Sequence, residues 1–152
     1  MEIATNRKAF RDYAILDKIE SGIVLVGTEV KSIRLGLVSL QAAYAKVENS
    51  EVFLYDLDIQ PYERASHEQH APKRKRKLLL HAREIGKLFA EISVKGRTLI
   101  PLRLYWKKGH VKVELGIGKG KASYDKREDL KKKATQRDTE RELARGSYRH
   151  GG

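Results

Sequence analysis

Residues 119–152 set the outer limit on what this chain can fold into, because they cannot bury a core. They carry eleven Lys or Arg, six Asp or Glu and only two large aliphatic side chains, Leu130 and Leu143. So little apolar surface cannot offset the entropy of ordering the chain, and the segment is expected to be disordered when free. Any hydrophobic core must therefore come from residues 1–118, which are enough for one. The basic residues of the tail are regularly placed: Lys133, Arg137, Arg141, Arg145 and Arg149 recur at every fourth position. On a helix of about 3.6 residues per turn, steps of four place them on one slowly winding stripe. Like charges at that spacing repel in a free helix. Against a phosphate backbone the same stripe is favourable, because each contact releases counterions. The pattern is that of a tail that folds on RNA.

Basic residues exceed acidic ones by twelve over the 152 residues, seven of the excess in 1–118 and five in the tail. An imbalance in both parts points to a large anionic partner, most often nucleic acid. There is no cysteine, so neither disulfides nor thiolate chemistry enter. The start, Met1 to Lys8, lacks the apolar stretch of a signal peptide, and no apolar run approaches the roughly 18 residues of a membrane span. No membrane association is expected, and the cytoplasm is the expected location.

The body reads as short strands with two helices. Tyr13 and Ile15, then Ile23 and Leu25, flank Glu20-Ser21-Gly22, which suggests a bend or hairpin. Thr28 is placed to cap a short helix carrying Val30, Ile33 and Leu37, with Gly36 as its terminator. Residues 43–47 and 52–59 read as strands around the turn Glu48-Asn49-Ser50-Glu51, and Pro61 closes that unit. Glu63 to Pro72 reads as a polar loop. Residues 81–95 form the clearest helix: Ile85, Leu88, Phe89 and Ile92 follow the i, i+3, i+4, i+7 pattern, placing Phe89 in the core, and Gly96 sits at the stop. A hairpin follows, with strands at 98–106 and 111–117, and Val111, Val113, Leu115 and Ile117 share one face. Five or six short strands with two helices in a basic domain of this size suggest a small closed barrel of the OB type, mainly β. The order of elements does not suit repeated βαβ units.

The densest charge cluster is Lys73-Arg74-Lys75-Arg76-Lys77. It joins Leu78-Leu79-Leu80 and the following helix, which anchors its charges to rigid structure and suits nucleic-acid contact; a solvated loop is the plainer alternative. Gly116-Ile117-Gly118-Lys119-Gly120-Lys121 lacks the spacing of a phosphate-binding loop and leads into no helix. It lets backbone approach phosphates closely, or else is simply a flexible strand exit. Of the five histidines only His67 and His70 are close in sequence, and nothing completes a metal site. Glu20, Glu29, Asp56 and Asp58 are candidate acids, but no catalytic pattern emerges from their spacing. Neither a cofactor nor a catalytic set is expected. Tyr124, among Lys121, Lys126 and Arg127, suits stacking on a base or packing on the barrel.

Several separated motifs together resemble one family, that of SmpB, the small protein B that binds transfer-messenger RNA (tmRNA) in bacterial ribosome rescue. They are Asn6-Arg7-Lys8 with Asp12-Tyr13, Glu20-Ser21-Gly22, Gly27-Thr28-Glu29-Val30-Lys31-Ser32, Arg76-Lys77-Leu78-Leu79-Leu80, Lys119-Gly120-Lys121 and Tyr124-Asp125-Lys126-Arg127. Together they span nearly the whole chain in order. Ser21, Ala71 and Ala122 depart from the family's usual residues, and we read these as small surface changes. The resemblance implies an OB-like, six-stranded antiparallel barrel over 1–118 and a basic tail over 119–152. It implies binding of the tRNA-like domain of tmRNA by the barrel, with Asn6, Glu20 and Leu79 matching positions linked to that binding. Arg7, Lys8, Lys31 and the 73–77 run would complete the RNA face. The tail would enter the decoding centre and the empty mRNA channel of a stalled ribosome. Lys119, Gly120, Lys121, Tyr124, Asp125, Lys126 and Arg127 match its beginning, and Lys133, Arg137, Arg141 and Arg145 would line the channel. Elongation factor Tu and GTP, acting with alanyl-tmRNA, are implied as further partners, and catalysis is left to the ribosome. A generic OB-type RNA-binding or ribosomal protein, or an enzyme acting on RNA, are the competing classes.

Overall fold

The computed structural model describes residues 1–62 and 69–121. In chain order these form β1 (Glu2–Thr5), α1 (Arg7–Asp12), β2 (Tyr13–Ile23), α2 (Gly27–Arg34), β3 (Val38–Ser39), β4 (Tyr44–Glu48), β5 (Glu51–Tyr55), β6 (Asp58–Ile59), β7 (Arg76–Leu79), α3 (Ala82–Ile92), β8 (Arg97–Lys107) and β9 (His110–Gly120). The molecule is mainly β. One antiparallel sheet has the strand order β1-β8-β9-β2-β7-β5-β4, and β3 pairs with β6 in a small second sheet. The large sheet curls until β4 lies alongside β8, as in a barrel, with no ladder across that seam among the described residues. It has seven strands, one more than the resemblance implied.

The inner face follows from alternation. Val111, Val113, Leu115 and Ile117 all point into the main core, as their spacing predicts, together with Val52, Leu54, Leu57, Ile59, Leu78 and Leu104. On β9 the opposite face carries Gly116 and Gly118. A Cβ at Gly116 would come within 2.6 Å of Leu102, and one at Gly118 within 2.6 Å of Ile100. Leu102 and Ile100 form a second, smaller core with Ala9 of α1, flanked by Phe10, Tyr13 and Ile15. Residues 116–120 are therefore a paired strand rather than a flexible exit, and the missing side chains at 116 and 118 make room for α1's small core. A register shift in β8 between Pro101 and Arg103 accompanies it, as an extra residue re-aims side chains.

Several local expectations are corrected. Glu20-Ser21-Gly22 makes no hairpin, because β2 runs unbroken through it. Ser21 is buried and its hydroxyl donates to the Val113 carbonyl, so its departure from the family lies inside the fold and not on the surface. Gly22 pairs with both Lys112 and Leu79, and a Cβ there would stand 3.2 Å from that of Leu79. The residues that looked like turn punctuation serve a close crossing of strands. Thr28 does not cap α2: the Glu29 carboxylate accepts the Val26 N–H at 2.9 Å instead, and the Thr28 hydroxyl bonds His70 Nδ1 at 2.9 Å. Phe89 is 58% exposed, on the rim of a groove shared with Val47, Asn49 and Ser50, and only Leu88 of the helical stripe is fully buried. The stripe is wider than the surface α3 has to cover. Residues 52–59 also divide in two, because Asp56 adopts φ 57° and turns the chain between β5 and β6. Gly36, at φ 74°, ends α2 as expected, with its N–H on the Ile33 carbonyl.

Candidate nucleic-acid interface

Asn6 sits where β1 turns into α1. Its Oδ1 accepts the Ala9 N–H at 3.1 Å, its Nδ2 donates to the Pro101 carbonyl at 3.0 Å, and its own N–H reaches the Leu102 carbonyl at 2.8 Å. This is an N-cap that also clips the helix to the shifted stretch of β8. Asn6 is buried, and both ends of its amide are engaged within the fold. Its neighbours Arg7 and Lys8, in the first turn of α1, are exposed. Lys8 lines a depression with Asn6, Asp12, Tyr13, Tyr44 and Gly120, so the N-terminal motif and the end of β9 meet at one place.

Glu20 and Leu79 line a different depression, with Ser21, Gly22, His81, Glu84 and Lys112. Leu79 is 51% exposed, an apolar side chain held outward where Gly22 opposes it. The Tyr105 hydroxyl and, at 3.2 Å, the Lys107 ammonium donate to the Glu20 carboxylate. The tyrosine hydrogen bond, aided by Lys107 and opposed by slight burial, holds the Glu20 carboxyl below its ordinary value. Burial and the same bond push the Tyr105 hydroxyl up. Glu20 therefore presents a fixed carboxylate beside an apolar patch.

The 73–77 run does not act as one block. Arg76 is fully buried; it pairs with Glu29 and donates to the carbonyls of Leu57, Pro72 and Arg74. It is thus removed from the candidate RNA contacts: strand alternation turns it inward, and a buried guanidinium persists only with its partners satisfied. Arg74 is half-buried and reaches the other Glu29 oxygen at 2.6 Å. Burial pushes Glu29 up, but the hydrogen bonds from Arg74 and the Val26 N–H, with the charge of Arg76, leave its carboxyl below the ordinary value. Lys73, Lys75 and Lys77 remain exposed. Lys31, exposed on α2, lies 5.6 Å from the Tyr62 ring and lines a depression with Thr28, His70 and Arg74.

Sequence reasoning missed the aromatic side chains beside those lysines. Tyr44 and Tyr55, paired in register across β4 and β5, stack with centroids 5.2 Å apart and planes 11° apart. Lys75 Nζ stands 4.0 Å from the Phe53 ring, and Phe53 is in register with Lys46 on one side and Lys77 on the other. Lys75 also pairs with Glu48, and Lys77 with Glu51. The alternation Tyr44-x-Lys46-x-Glu48 and Glu51-x-Phe53-x-Tyr55 was the available signal, since every second residue shares a face.

Among the described residues no group of three His, Cys, Asp or Glu is arranged to hold a metal, and His70 is buried between Thr28 and the Ile59 carbonyl. No described helix is long and apolar enough to cross a membrane. Lys119 and Gly120, assigned from sequence to the tail, are the last residues of β9, and Lys121 follows it, exposed. His67, Tyr124, Asp125, Lys126, Arg127, Lys133, Arg137, Arg141 and Arg145 lie outside the described residues.

A small, basic, barrel-like β domain with lysines and aromatic rings on its outer face is of the class that engages phosphate backbones and bases. Within that class the chain belongs to the SmpB protein family, whose model matches residues 3–145. It is 54% identical to the SsrA-binding protein of Carboxydothermus hydrogenoformans, over 93% of this chain and 95% of the relative. It is 56% identical to the SsrA-binding protein of Geotalea uraniireducens, over 90% of each. A solved chain described as "tmRNA-SmpB: a journey to the center of the bacterial ribosome" superposes with a TM-score of 0.67 at 45% identity, covering 80% of this chain and 85% of that one.

Proposed function

We propose that this chain binds tmRNA and carries it to stalled bacterial ribosomes, acting as a recognition and delivery protein and not as an enzyme. The observation that carries the reading is the family match over nearly the full length, shared with SsrA-binding proteins and with a chain solved as tmRNA-SmpB. The barrel takes the tRNA-like domain. Glu20 and Leu79 supply an acceptor and an apolar contact in one depression, while Arg7, Lys8, Lys31, Lys73, Lys75 and Lys77 supply phosphate contacts that position without specifying. Asn6 serves binding indirectly, by seating α1. The residues beyond Lys121 reach the decoding centre and the mRNA channel, and alanyl-tmRNA arrives with elongation factor Tu and GTP. The setting is the cytoplasm. The test is to identify the RNA that copurifies at moderate salt: one dominant tmRNA species is expected. A heterogeneous mixture of RNAs would overturn the reading, as would RNA cleavage by the protein in divalent metal.

A further inference from the structure

Beyond that reading, we propose that the outer face of β4, β5 and the entry to β7 is a second RNA surface, one that takes unpaired nucleotides by stacking. Three aromatic rings converge there: the Tyr44–Tyr55 pair and Phe53, its neighbour on β5. Tyr44 is 40% exposed, far more than a ring placed for core packing. Cations frame the rings on both sides. Lys46 Nζ is 5.5 Å from the Tyr44 ring and 5.8 Å from the Tyr55 ring, and Lys75 Nζ is 4.0 Å from Phe53 and 5.4 Å from Tyr55. A ring offers its face to any base, and an ammonium beside it meets the phosphate that follows, which is how single strands are held without sequence preference. A duplex buries its bases and offers these rings nothing to stack on. An acidic peptide would satisfy the lysines but leave the rings unused.

The face also contains its own competitor. Glu48 accepts from Lys75 and from the Tyr55 hydroxyl, and Glu51 from Lys77. A phosphate must displace these carboxylates, so the surface is held back in the free protein. Of its charged groups Lys46, Lys75 and Lys77 are opposed only by Glu48 and Glu51 among the residues named, and the balance favours a polyanion.

The experiment uses the full chain and a short oligouridylate, which has no duplex to offer. Tyr44→Ser should weaken its binding on the order of tenfold, the usual effect of losing one stacked base, with the salt slope unchanged because no phosphate contact is lost. Tyr44→Phe should bind as the parent does, and Glu48→Gln should bind more tightly. Undiminished binding by Tyr44→Ser, or an equal loss in Tyr44→Phe, would overturn the proposal. Ultraviolet cross-linking of the unaltered protein should map to peptides containing Tyr44, Phe53 or Tyr55, and cross-links confined elsewhere would overturn it even if a variant folded poorly. A glutamate polymer that bound with the same dependence on Tyr44 would overturn the choice of RNA. Binding of tmRNA is measured beside these, and its absence from the unaltered protein would count against the proposed function while leaving the oligouridylate result to stand or fall alone.

Discussion

Asn6 and Glu29 are buried side chains that each hold more than one neighbour in place. Replacing Asn6 with alanine leaves the Ala9 N–H uncapped and the Pro101 carbonyl without its donor. A lost cap costs about 1 kcal/mol and an unsatisfied buried carbonyl about 1–3 kcal/mol, so Asn6→Ala should lower the denaturation midpoint clearly. Its loss of RNA affinity should accompany that of α1's order, and an unchanged midpoint with lost affinity would mean that Asn6 acts by direct contact. Glu29 joins Val26, Arg74 and Arg76. Its folded carboxyl is held below the ordinary value, so its stabilisation is present above the carboxylate range and is lost as pH falls through the lowered folded value. Glu29→Gln should therefore flatten the acid limb of the stability profile. At neutral pH it should cost about 3–5 kcal/mol, the usual result of leaving one member of a buried pair alone. An acid limb as steep as the parent's would show that other carboxylates set it.

Between β8 and β9 the chain reverses through Lys108 and Gly109, at φ 51° and 77°. Two positive φ values in a two-residue loop make the type of turn that matches strand twist and favours Asn-Gly. Lysine tolerates that region poorly, so Lys108→Asn should stabilise the protein by a few tenths to about 1 kcal/mol, read as a rise in thermal midpoint. No rise would mean that the hairpin ladder already fixes the turn. This hairpin was legible in the sequence because alternation and turn chemistry agreed. So were the Gly36 stop and the turn between β4 and β5. What misled were residues with two uses. Glu20-Ser21-Gly22 reads as a turn by composition, yet Ser21 bonds inward and Gly22 lets Leu79 approach. Thr28 reads as a cap, yet Glu29 takes that role from one residue further on. Arg76 reads as one charge among five, and only the pleat of β7 separates it from Lys75 and Lys77. The candidate site was legible as a set of motifs. Its division into a Glu20–Leu79 depression, an Asn6–Lys8 corner and an aromatic face depends on pairings between strands far apart in the chain, which no local pattern encodes.

On the scale of the whole molecule, the body extends past Gly118, because β9 runs through Lys119 to Gly120. A chain cut after Gly118 would lose Lys119 and Gly120, which pair with Arg97, Ala14 and Tyr13. Cutting after Lys121 should keep tmRNA affinity near that of the full chain and abolish peptide tagging on stalled ribosomes, read by gel shift and by a tagging assay. Loss of both in that truncation would count against a division of labour between the two parts. The same strand has a mechanical consequence. β9 is central, laddered to β2 on one side and β8 on the other along most of its length, and inter-strand bonds lie across the strands. A pull along the chain from Gly120 loads both ladders in shear, so that many bonds must yield together instead of opening one by one as an edge strand does. The barrel is thus an anchorage: tension that reaches it through the end of β9 is shared between the ladders on both sides of that strand.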